Sequence, residues 1–375
     1  MDIKNPERVQ RLKEMLAGIG KESKLCLVYD IDADGMSSGA LIKHAFEKLG
    51  LGFKLELTDI TRKAVFSEEN QQKIRDAQID FIVSTDVAFP GFNLLGAYNS
   101  LLRQGVRFLV FDHHEYEPSM QGENSLLIHP VDIFGKEHSS ACASKLVYDL
   151  LSRFVPLSEY EWLKAIGMIG DMNFLDYSGE LKSIIGKYEG KEPQIRSNDD
   201  YFKTRLGRIS DLVNSAKAIG NNESLSEMFR AYSGAATVED LEKKLGKMDV
   251  TEINKQIDGY VAGFEVLSEK EGDIYFLEIK SGFYIGSPVS SIISQVKAGH
   301  TFIVYQRKGD FMIVNSRRQD RQYNMNDLMS LSVKGLRDSN GGGHLPAAGA
   351  TIRVEDWGVF KQCLLENYAK VKVSA

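Results

Sequence analysis

Three short apolar runs in the first third of the chain each end in an aspartate. The runs are LCLVYD, FIVSTD and RFLVFD, which end at Asp30, Asp86 and Asp112. Runs of about five apolar residues between polar segments are typical of strands that are buried on both faces of a parallel sheet. The carboxyl ends of such strands meet at one edge, where ligands of open α/β sheets bind. The pattern therefore predicts an α/β fold with acidic residues gathered at that edge.

Strand and helix patterns alternate through about residue 178, which favours a parallel sheet with helices on both faces. Residues 179–265 are more polar and mainly helical in pattern, and we predict a helical connector there. A smaller, strand-rich α/β unit follows at 266–375, with the runs IYFLEI, TFIVYQ and FMIVNS. The predicted organisation is therefore a domain at 1–178, a connector and a C-terminal domain.

Helix boundaries can also be predicted from the sequence. The run after Asp34 and Gly35 predicts a helix at 37–49. Ser158 has capping-box spacing ahead of the apolar run that leads to IGMIGDMNFL, and Thr237 has the same spacing in the connector. The first of these helices should carry Asp171 to the acidic edge of the sheet.

Composition and charge narrow the class of protein. A net charge of -6 at pH 7 argues against a protein that coats nucleic acid indiscriminately. The three cysteines are far apart, so we predict neither a disulfide framework nor a cysteine zinc site. The apolar stretches are much shorter than the roughly 20 residues that span a bilayer, and the charged N-terminal segment does not look like a secretory signal. We therefore expect a cytoplasmic protein with no membrane partner.

Further metal-ligating side chains lie close to the predicted strand ends. Asp32 and Asp34 follow the first aspartate in DIDADG, and His113 and His114 follow the third. A single DxD pattern is common in solvated turns, but it recurs here with a histidine pair. Carboxylates with a minority of imidazole suit Mn²⁺ or Mg²⁺ better than Zn²⁺. Because clustered acids repel one another strongly without cations, the sequence favours a divalent-metal site over a set of acidic turns that bind no metal.

The C-terminal unit contains the glycine-rich segment SNGGGHLPAAGA. We predict that Gly341, Gly342 and Gly343 form a backbone nest, in which several amides face one anion, and that His344 adds a further donor. The nearby segment FMIVNSRRQDRQY places several arginines near a strand end. Arginines suit bidentate phosphate contacts, although a solvated face is an alternative for some of them.

Taken together, these motifs resemble the DHH phosphoesterase superfamily. DIDADG, TDVA, FDHHEYEP and IGDMNFL resemble, in this order, its four metal-binding motifs, and SNGGGHLPAAGA resembles the signature of its DHH-associated C-terminal domain. The stretch RISDLVNSAKAIGNNESLSEMF resembles the equivalent part of archaeal RecJ-like proteins. Nanornase-type and pyrophosphatase members carry a histidine four residues before the acid that matches Asp32, where this chain has Val28. The departure favours the RecJ-like side and implies a more loosely held first metal ion.

The resemblance implies a role for each matching residue. Asp32 would bind one metal ion and Asp34 the other, Asp86 would bridge them, and His113 and Asp171 would complete the second site. The implied metal ligands are Asp30, Asp32, Asp34, Asp86, Asp112, His113 and Asp171. The implied catalytic residues are His114, Asp112 and Asp86. The implied substrate-binding residues are Ser316, Arg317, Arg318, Gly341, Gly342, Gly343 and His344.

The resemblance also implies how Asp112, His114 and Asp30 contribute. Asp112 would orient its neighbours or bind metal directly, and His114 would lie against the scissile phosphate. Asp30 would support the first site. The family's Ser-x-Arg element matches Ser316 and Arg318. The resemblance also implies that the active site lies in the cleft between the two domains.

The function implied is hydrolysis of phosphodiester bonds in single-stranded DNA or RNA, or in short oligonucleotides, by a two-metal mechanism. Exonuclease action is expected, with two divalent ions as cofactors, Mn²⁺ or else Mg²⁺. Bacterial-type RecJ carries an additional OB-fold for which this chain leaves no room, so short substrates are plausible. One alternative is a phosphodiesterase for cyclic or linear dinucleotides or nanoRNA. Another is a non-catalytic replication or repair scaffold, and an active enzyme could also bind a replication or repair protein.

Overall fold

Two compact units, Met1–Met248 and Asp249–Ala375, make up the computed structural model. The described residues are 3–135, 140–174, 177–246 and 251–373. The side chains outside the description within these ranges are those of Asp199, Asn214, Ser215, Ala216 and His344. Within these ranges, no helix combines the length and the apolar character needed to cross a membrane.

The first unit is built on a five-stranded parallel sheet. Its strands are β1 (Leu25–Tyr29), β2 (Phe53–Leu57), β3 (Phe81–Thr85), β4 (Arg107–Phe111) and β5 (Ser125–Ile128). They lie in the order β2-β1-β3-β4-β5, so the chain reverses its direction of travel across the sheet between β1 and β3. Such a reversal opens a crevice at the carboxyl ends of the two strands, where ligands bind in folds of this class. The predicted parallel sheet is confirmed, and β5 is an addition whose short apolar run the sequence pattern did not single out.

Both faces of this sheet are covered, as the continuous apolar strands require. Leu25, Leu27 and Tyr29 of β1 belong to one hydrophobic core, and Cys26 and Val28 belong to the core on the other face. The helices of the first unit are α1 (Pro6–Ala17), α2 (Ala33–Lys48), α3 (Glu68–Asp76), α4 (Leu95–Arg103), α5 (Pro130–Phe134), α6 (Ala143–Leu151), α7 (Glu161–Gly170), α8 (Ser178–Glu189), α9 (Asp199–Phe202), α10 (Arg205–Ile219), α11 (Asn222–Ser233) and α12 (Val238–Leu245). Helices α3 and α4 supply the second core, and α2, α6 and α7 supply the first.

Helix starts follow the capping chemistry in part. Helix α2 begins directly after Asp32, whose side chain accepts hydrogen bonds from the first amides, so its start lies before the predicted residue 37. Thr237 caps α12 as predicted, with its hydroxyl accepting from the Asp240 amide at 3.1 Å. Ser158 does not cap α7, because it lies in a preceding 3-10 turn and the helix begins at Glu161 without a side-chain cap.

The helices of the predicted connector that precede residue 246 pack onto the first unit. Phe229 of α11 stacks on Tyr29 of β1 with ring centroids 3.8 Å apart. Gly39 of α2 makes room for this ring, because a Cβ atom there would lie 2.9 Å from Phe229. This contact ties α11 to the strand that carries the first acidic motif.

The second unit is a six-stranded mixed sheet with helices on both faces. Its elements are α13 (Thr251–Leu267), β6 (Glu269–Glu271), β7 (Ile274–Ile279), α14 (Gly286–Val296), β8 (Thr301–Lys308), β9 (Phe311–Arg317), α15 (Met325–Ser332), β10 (Asn340–His344), β11 (Ala347–Arg353) and α16 (Trp357–Tyr368). The strand order is β10-β11-β9-β8-β7-β6, and β7 pairs with β8 in parallel while the other pairs are antiparallel. Helices α15 and α16 cover a core on one face, and on the other α13 packs Phe264 against Phe302, with ring centroids 5.7 Å apart.

The glycine-rich segment is a β-strand, where the sequence predicts a nest. Gly341, Gly342 and Gly343 pair in register with Ala350, Gly349 and Ala348 as the edge strand β10. Helix α15 packs closely on it, since a Cβ atom on Gly341 would lie 2.6 Å from the carbonyl oxygen of Met329. Close packing between a helix and a strand therefore accounts for the glycine at this position.

We predict that Gly170→Ala destabilises the first unit. A Cβ atom at Gly170 would lie 2.5 Å from that of Ala33, so α7 and α2 would have to separate. Overpacking of this kind costs about 1–3 kcal/mol. Chemical denaturation of the whole chain, followed by circular dichroism, measures the change.

Gly96→Ala is the matched control for this prediction, because no atom lies within 4 Å of the position that its Cβ would occupy. Alanine should there be neutral, or stabilise α4 by up to about 1 kcal/mol. Equal unfolding free energies for the two variants would contradict the close approach of α7 and α2.

Candidate metal centre

Three acidic residues follow the ends of adjacent strands, and two of them extend the parallel pairing. Asp30 follows β1, Asp86 follows β3 and Asp112 follows β4. The Asp86 amide donates to the Phe111 carbonyl at 2.9 Å, and the Asp112 amide donates to the Ile128 carbonyl at 3.1 Å. The backbone of two of these acids is thus held by the sheet itself. All three are buried, as a site at the end of the core requires.

The first group of acids comprises Asp30, Asp32 and Asp86, whose ligand atoms lie within 4.8 Å of one another. The turn that joins β1 to α2 brings Asp32 over Asp30. It passes so close that a Cβ atom on Gly35 would lie 2.5 Å from the Asp30 carbonyl oxygen. Oδ1 of Asp32 accepts from the amides of Asp34 and Gly35 at 3.1 and 3.0 Å. The backbone amides therefore leave Oδ2 of Asp32 for contacts within the group.

A basic residue that the sequence motifs do not include lies against this group. Nε of Arg62 donates to Oδ1 of Asp30 at 2.6 Å, and Nη2 bonds to Oδ2 of the same carboxylate. Nη2 also donates to Oδ2 of Asp32 at 3.0 Å. The only signal in the sequence is position, because Arg62 closely follows β2 and so comes to the same edge of the sheet as the acids.

The second group comprises Asp34, Cys142 and Asp171, again with ligand atoms within 4.8 Å of one another. The buried Asp34 carboxylate faces the start of α6 and accepts from the amides of Ala143 and Ser144 at 2.6 and 2.9 Å. A helix N-terminus favours a negative charge in this position. Asp171 ends α7, as the sequence predicts. Cys142 was not predicted, and its spacing from the acids offers no signal.

Glycine in α7 is what lets the second group form. A Cβ atom on Gly167 would lie 2.2 Å from Oγ of Ser144 and 2.6 Å from Oδ1 of Asp34. Any larger residue would therefore displace either the helix or the carboxylate. The IGMIGD motif contributes this close approach as well as its terminal aspartate.

The third group joins Asp86 to the histidine pair. Nε2 of His113 lies 3.2 Å from Oδ1 of Asp86, and its Nδ1 lies 3.8 Å from Oδ2 of Asp171. Nδ1 of His114 lies 2.8 Å from Oδ1 of Asp112. Asp112 also accepts from both histidine amides, at 2.8 and 3.2 Å. Asp112 thus orients the histidine pair. His113 lies between Asp86, which belongs to the first and third groups, and Asp171, which belongs to the second.

Asp86 belongs to two of the three groups, and its surroundings fit a cation. Its side chain is 2% exposed, and among the described residues none donates a hydrogen bond to Oδ1, although His113 lies nearby. A buried carboxylate oxygen without a donor is costly. The backbone of Asp86 has φ +61°, a conformation that few non-glycine residues adopt. Both features suit a carboxylate that is held in place to bind metal.

The pKa values show a shortage of positive charge. Burial, together with Asp34 and Asp32, raises the pKa of Asp86 well above its usual range. Burial raises the pKa of Asp171 to about 7, and it raises that of Asp30 to about 6 despite Arg62. Burial opposes ionisation of Asp32 as well, but Arg62 and Lys217 hold its pKa well below the usual range. Several acids would therefore bind protons unless a cation neutralises them, as expected of a divalent-metal site.

The pKa values of one lysine and one histidine near these acids are also shifted. Burial and Arg62 lower the pKa of Lys217, which α10 brings near the first group. Burial would lower the pKa of His114, but the Asp112 carboxylate raises it to about 9. Lys217 was not predicted, although its helix includes the RecJ-like stretch of the connector. That resemblance was the available signal.

The predicted substrate residues of the second unit differ in their availability. Ser316 is buried and donates to the Ala348 carbonyl at 3.0 Å. Arg318 is 4% exposed and binds Asp320 through two hydrogen bonds of 2.8 and 2.9 Å. It also bonds to Asp273 and to Tyr368.

Arg317 has no such partners. Within the described part of the second unit, it forms neither a hydrogen bond nor an ion pair through its side chain. It lies on the opposite face of β9 from Ser316, since burial alternates along the strand. Arg317 pairs with Ala347 of β11, which pairs in turn with His344 of β10. The side chain of His344 is outside the described part of the chain.

Known proteins were compared with the sequence and the fold. No family model matches the chain. The single-stranded-DNA-specific exonuclease RecJ of Bacillus subtilis (strain 168) is 22% identical over 381 residues, which cover 93% of this chain and 46% of that protein. The chain thus spans about half the length of this curated relative.

Solved structures share the fold. RecJ from Thermus thermophilus in complex with Mn²⁺ matches with a TM-score of 0.71 and 18% identity, over 99% of this chain and 55% of that one. An exonuclease RecJ bound to manganese matches with a TM-score of 0.69 and 16% identity, over 99% and 96% of the two chains. At these identities the structures establish the fold, and the ordered acidic motifs agree with it. The chain therefore shares its fold with RecJ proteins and is similar to one of them in sequence.

Proposed function

We propose that this chain is a metal-dependent phosphodiesterase that hydrolyses single-stranded nucleic acid or short oligonucleotides from an end. The carboxylate of Asp86 carries the proposal, because it is buried, lacks a donor to one oxygen and belongs to two groups of ligands. The relative from Bacillus subtilis is named an exonuclease specific for single-stranded DNA. That name supports the choice of substrate and of action at a strand end.

Two divalent cations, with Mn²⁺ preferred, are the proposed cofactors. Asp32 and Asp86 would hold the first ion, and Asp34, Asp86, His113 and Asp171 would hold the second. Divalent cations bound in this way supply Lewis acidity toward a phosphoryl oxygen and activate water. The RecJ structures that carry manganese support the choice of metal.

The side chains of the chain itself would orient the phosphate and neutralise its charge. Oδ1 of Asp112 accepts a hydrogen bond from Nδ1 of His114, so Nε2 of His114 would donate to a phosphate oxygen. The Asp112 carboxylate raises the pKa of His114 to about 9, which favours the protonated ring. Arg317, which has no carboxylate partner among the described residues, would bind a phosphate of the strand from the second unit.

Digestion of labelled single strands tests the activity and the site of attack. With Mn²⁺ present, DNA and RNA strands labelled at one end, and then at the other, should lose mononucleotides progressively from one end only. A circular single strand should resist, since it has no end. Cleavage of the circle would contradict exonuclease action, and turnover of a dinucleotide alone would favour the dinucleotide phosphodiesterase instead.

We predict that Asp86→Asn abolishes hydrolysis without unfolding the chain. Asparagine tolerates the positive φ of this position, but its neutral amide cannot replace a bridging carboxylate. Even supporting residues of metal sites contribute about 10–100-fold, so a loss of more than about a hundredfold is expected in single-turnover hydrolysis. Asp132→Asn removes a carboxylate that pairs with Arg8 at 3.4 Å, and this control should retain full activity. An active Asp86→Asn enzyme would rule out the proposed bridge.

Arg317→Gln and Arg318→Gln should have opposite effects. The Arg317 variant should bind a single strand about tenfold or more weakly, because hydrogen bonds to charged groups contribute roughly 1.5–3 kcal/mol, and should unfold like the wild type. The Arg318 variant should lose stability, since breaking a buried ion pair costs roughly 3–5 kcal/mol. Fluorescence anisotropy and denaturant titration measure the two effects. Unchanged strand binding by Arg317→Gln would exclude this residue as the phosphate contact.

A further inference from the structure

Arg62 already occupies the first group of acids as a cation. Its guanidinium binds both oxygens of Asp30 and one oxygen of Asp32. It lies over the ring of Phe92, with 5.6 Å from the guanidinium carbon to the ring centroid. The residue has φ +61°, a backbone conformation that few non-glycine residues adopt.

The hydrogen bonds leave few oxygens of this group for a metal ion. Both oxygens of Asp30 accept from Arg62. Oδ1 of Asp32 accepts from two backbone amides, and its Oδ2 accepts from Arg62. A divalent ion that binds Asp32 must therefore share or take Oδ2 from the guanidinium.

The charged groups near Arg62 are three acids and one lysine. The acids that face it are Asp30, Asp32 and Asp86, and the other cation is Lys217 of α10. Val28, which precedes the group on β1, is fully buried, and its side chain has no metal-binding atom. The first site thus has few free oxygens, no imidazole from β1 and a resident positive charge.

We propose that Arg62 is a built-in counter-cation that competes with the divalent ion for Asp32 and so weakens the first metal site. Asp30 then acts as the anchor of Arg62, and it is not itself a ligand. The inference rests on the proposed metal centre and adds to it an order of filling. The second site, with Asp34, His113 and Asp171, is filled first, and the first site is filled only at higher Mn²⁺ concentration.

Titration of the whole chain with Mn²⁺ alone, by isothermal calorimetry and by the electron paramagnetic resonance signal of free Mn²⁺, tests the competition. Arg62→Gln removes the charge and should tighten the weaker class of sites by about tenfold, because unit charges a few ångströms apart repel strongly at protein dielectrics. Arg62→Lys keeps the charge but cannot bind in two places, and should fall between the two. Arg8→Gln, which removes an arginine paired with Asp132 instead, should leave both classes unchanged.

A second variant covers the case in which Arg62→Gln leaves Asp30 without a partner and disturbs the fold. The double variant R62Q/D30N replaces the ion pair with two neutral amides, and it should show the same tighter binding with a circular dichroism spectrum like the wild type. Weaker or unchanged Mn²⁺ binding in this folded double variant would overturn the inference.

The outcomes separate this inference from the proposed function. If the wild type binds Mn²⁺ and hydrolyses strands, yet the Arg62 variants bind Mn²⁺ as the wild type does, only the competition is wrong. If neither the wild type nor the variants bind Mn²⁺, the metal centre itself is wrong, and the inference fails with it.

Discussion

Repulsion among buried carboxylates at one end of a parallel sheet is the interaction on which the candidate site depends. The fold creates this repulsion, because an aspartate directly follows each of the neighbouring strands β1 and β3. The chain reverses its direction across the sheet between these two strands. Backbone pairing to β4 holds Asp86 in place, so this residue cannot relax away from its neighbours. Either protonation or charge of the opposite sign relieves the repulsion, and Arg62 and Lys217 supply part of that charge.

Close packing of helices completes what the strands begin. Asp34 reaches the start of α6, where two amides hold its carboxylate. That contact requires α7 to pass within reach of Asp34, and Gly167 is the residue that permits it. The glycines of this unit and its acids thus belong to a single arrangement. A ligand set that comes from four separate segments needs such packing, because no local sequence can bring the carboxylates together.

Two neighbouring arginines of the second unit differ in their side-chain partners. Arg317 is the last residue of β9, and Arg318 directly follows the strand. Arg318 is enclosed by Asp273, Asp320 and Tyr368, whereas Arg317 has no acidic partner within the described residues. An arginine that is held by two carboxylates has little capacity left for a phosphate, because its donors are already used. Position in a motif therefore does not decide which arginine is available.

The sequence by itself determined most strands of the first unit and the acidic residues that follow them, because apolar runs and turn residues act over a few neighbouring positions. It also carried the resemblance to the DHH phosphoesterase superfamily, since DIDADG, FDHHEYEP and the glycine-rich segment are each contiguous. Only the tertiary structure decided that the glycine-rich segment is an edge strand and that Arg62 binds Asp30. It also decided that Cys142 and Lys217 lie near the acids. These contacts join residues far apart in the chain, and they depend on how helices pack and which face of a strand a side chain takes.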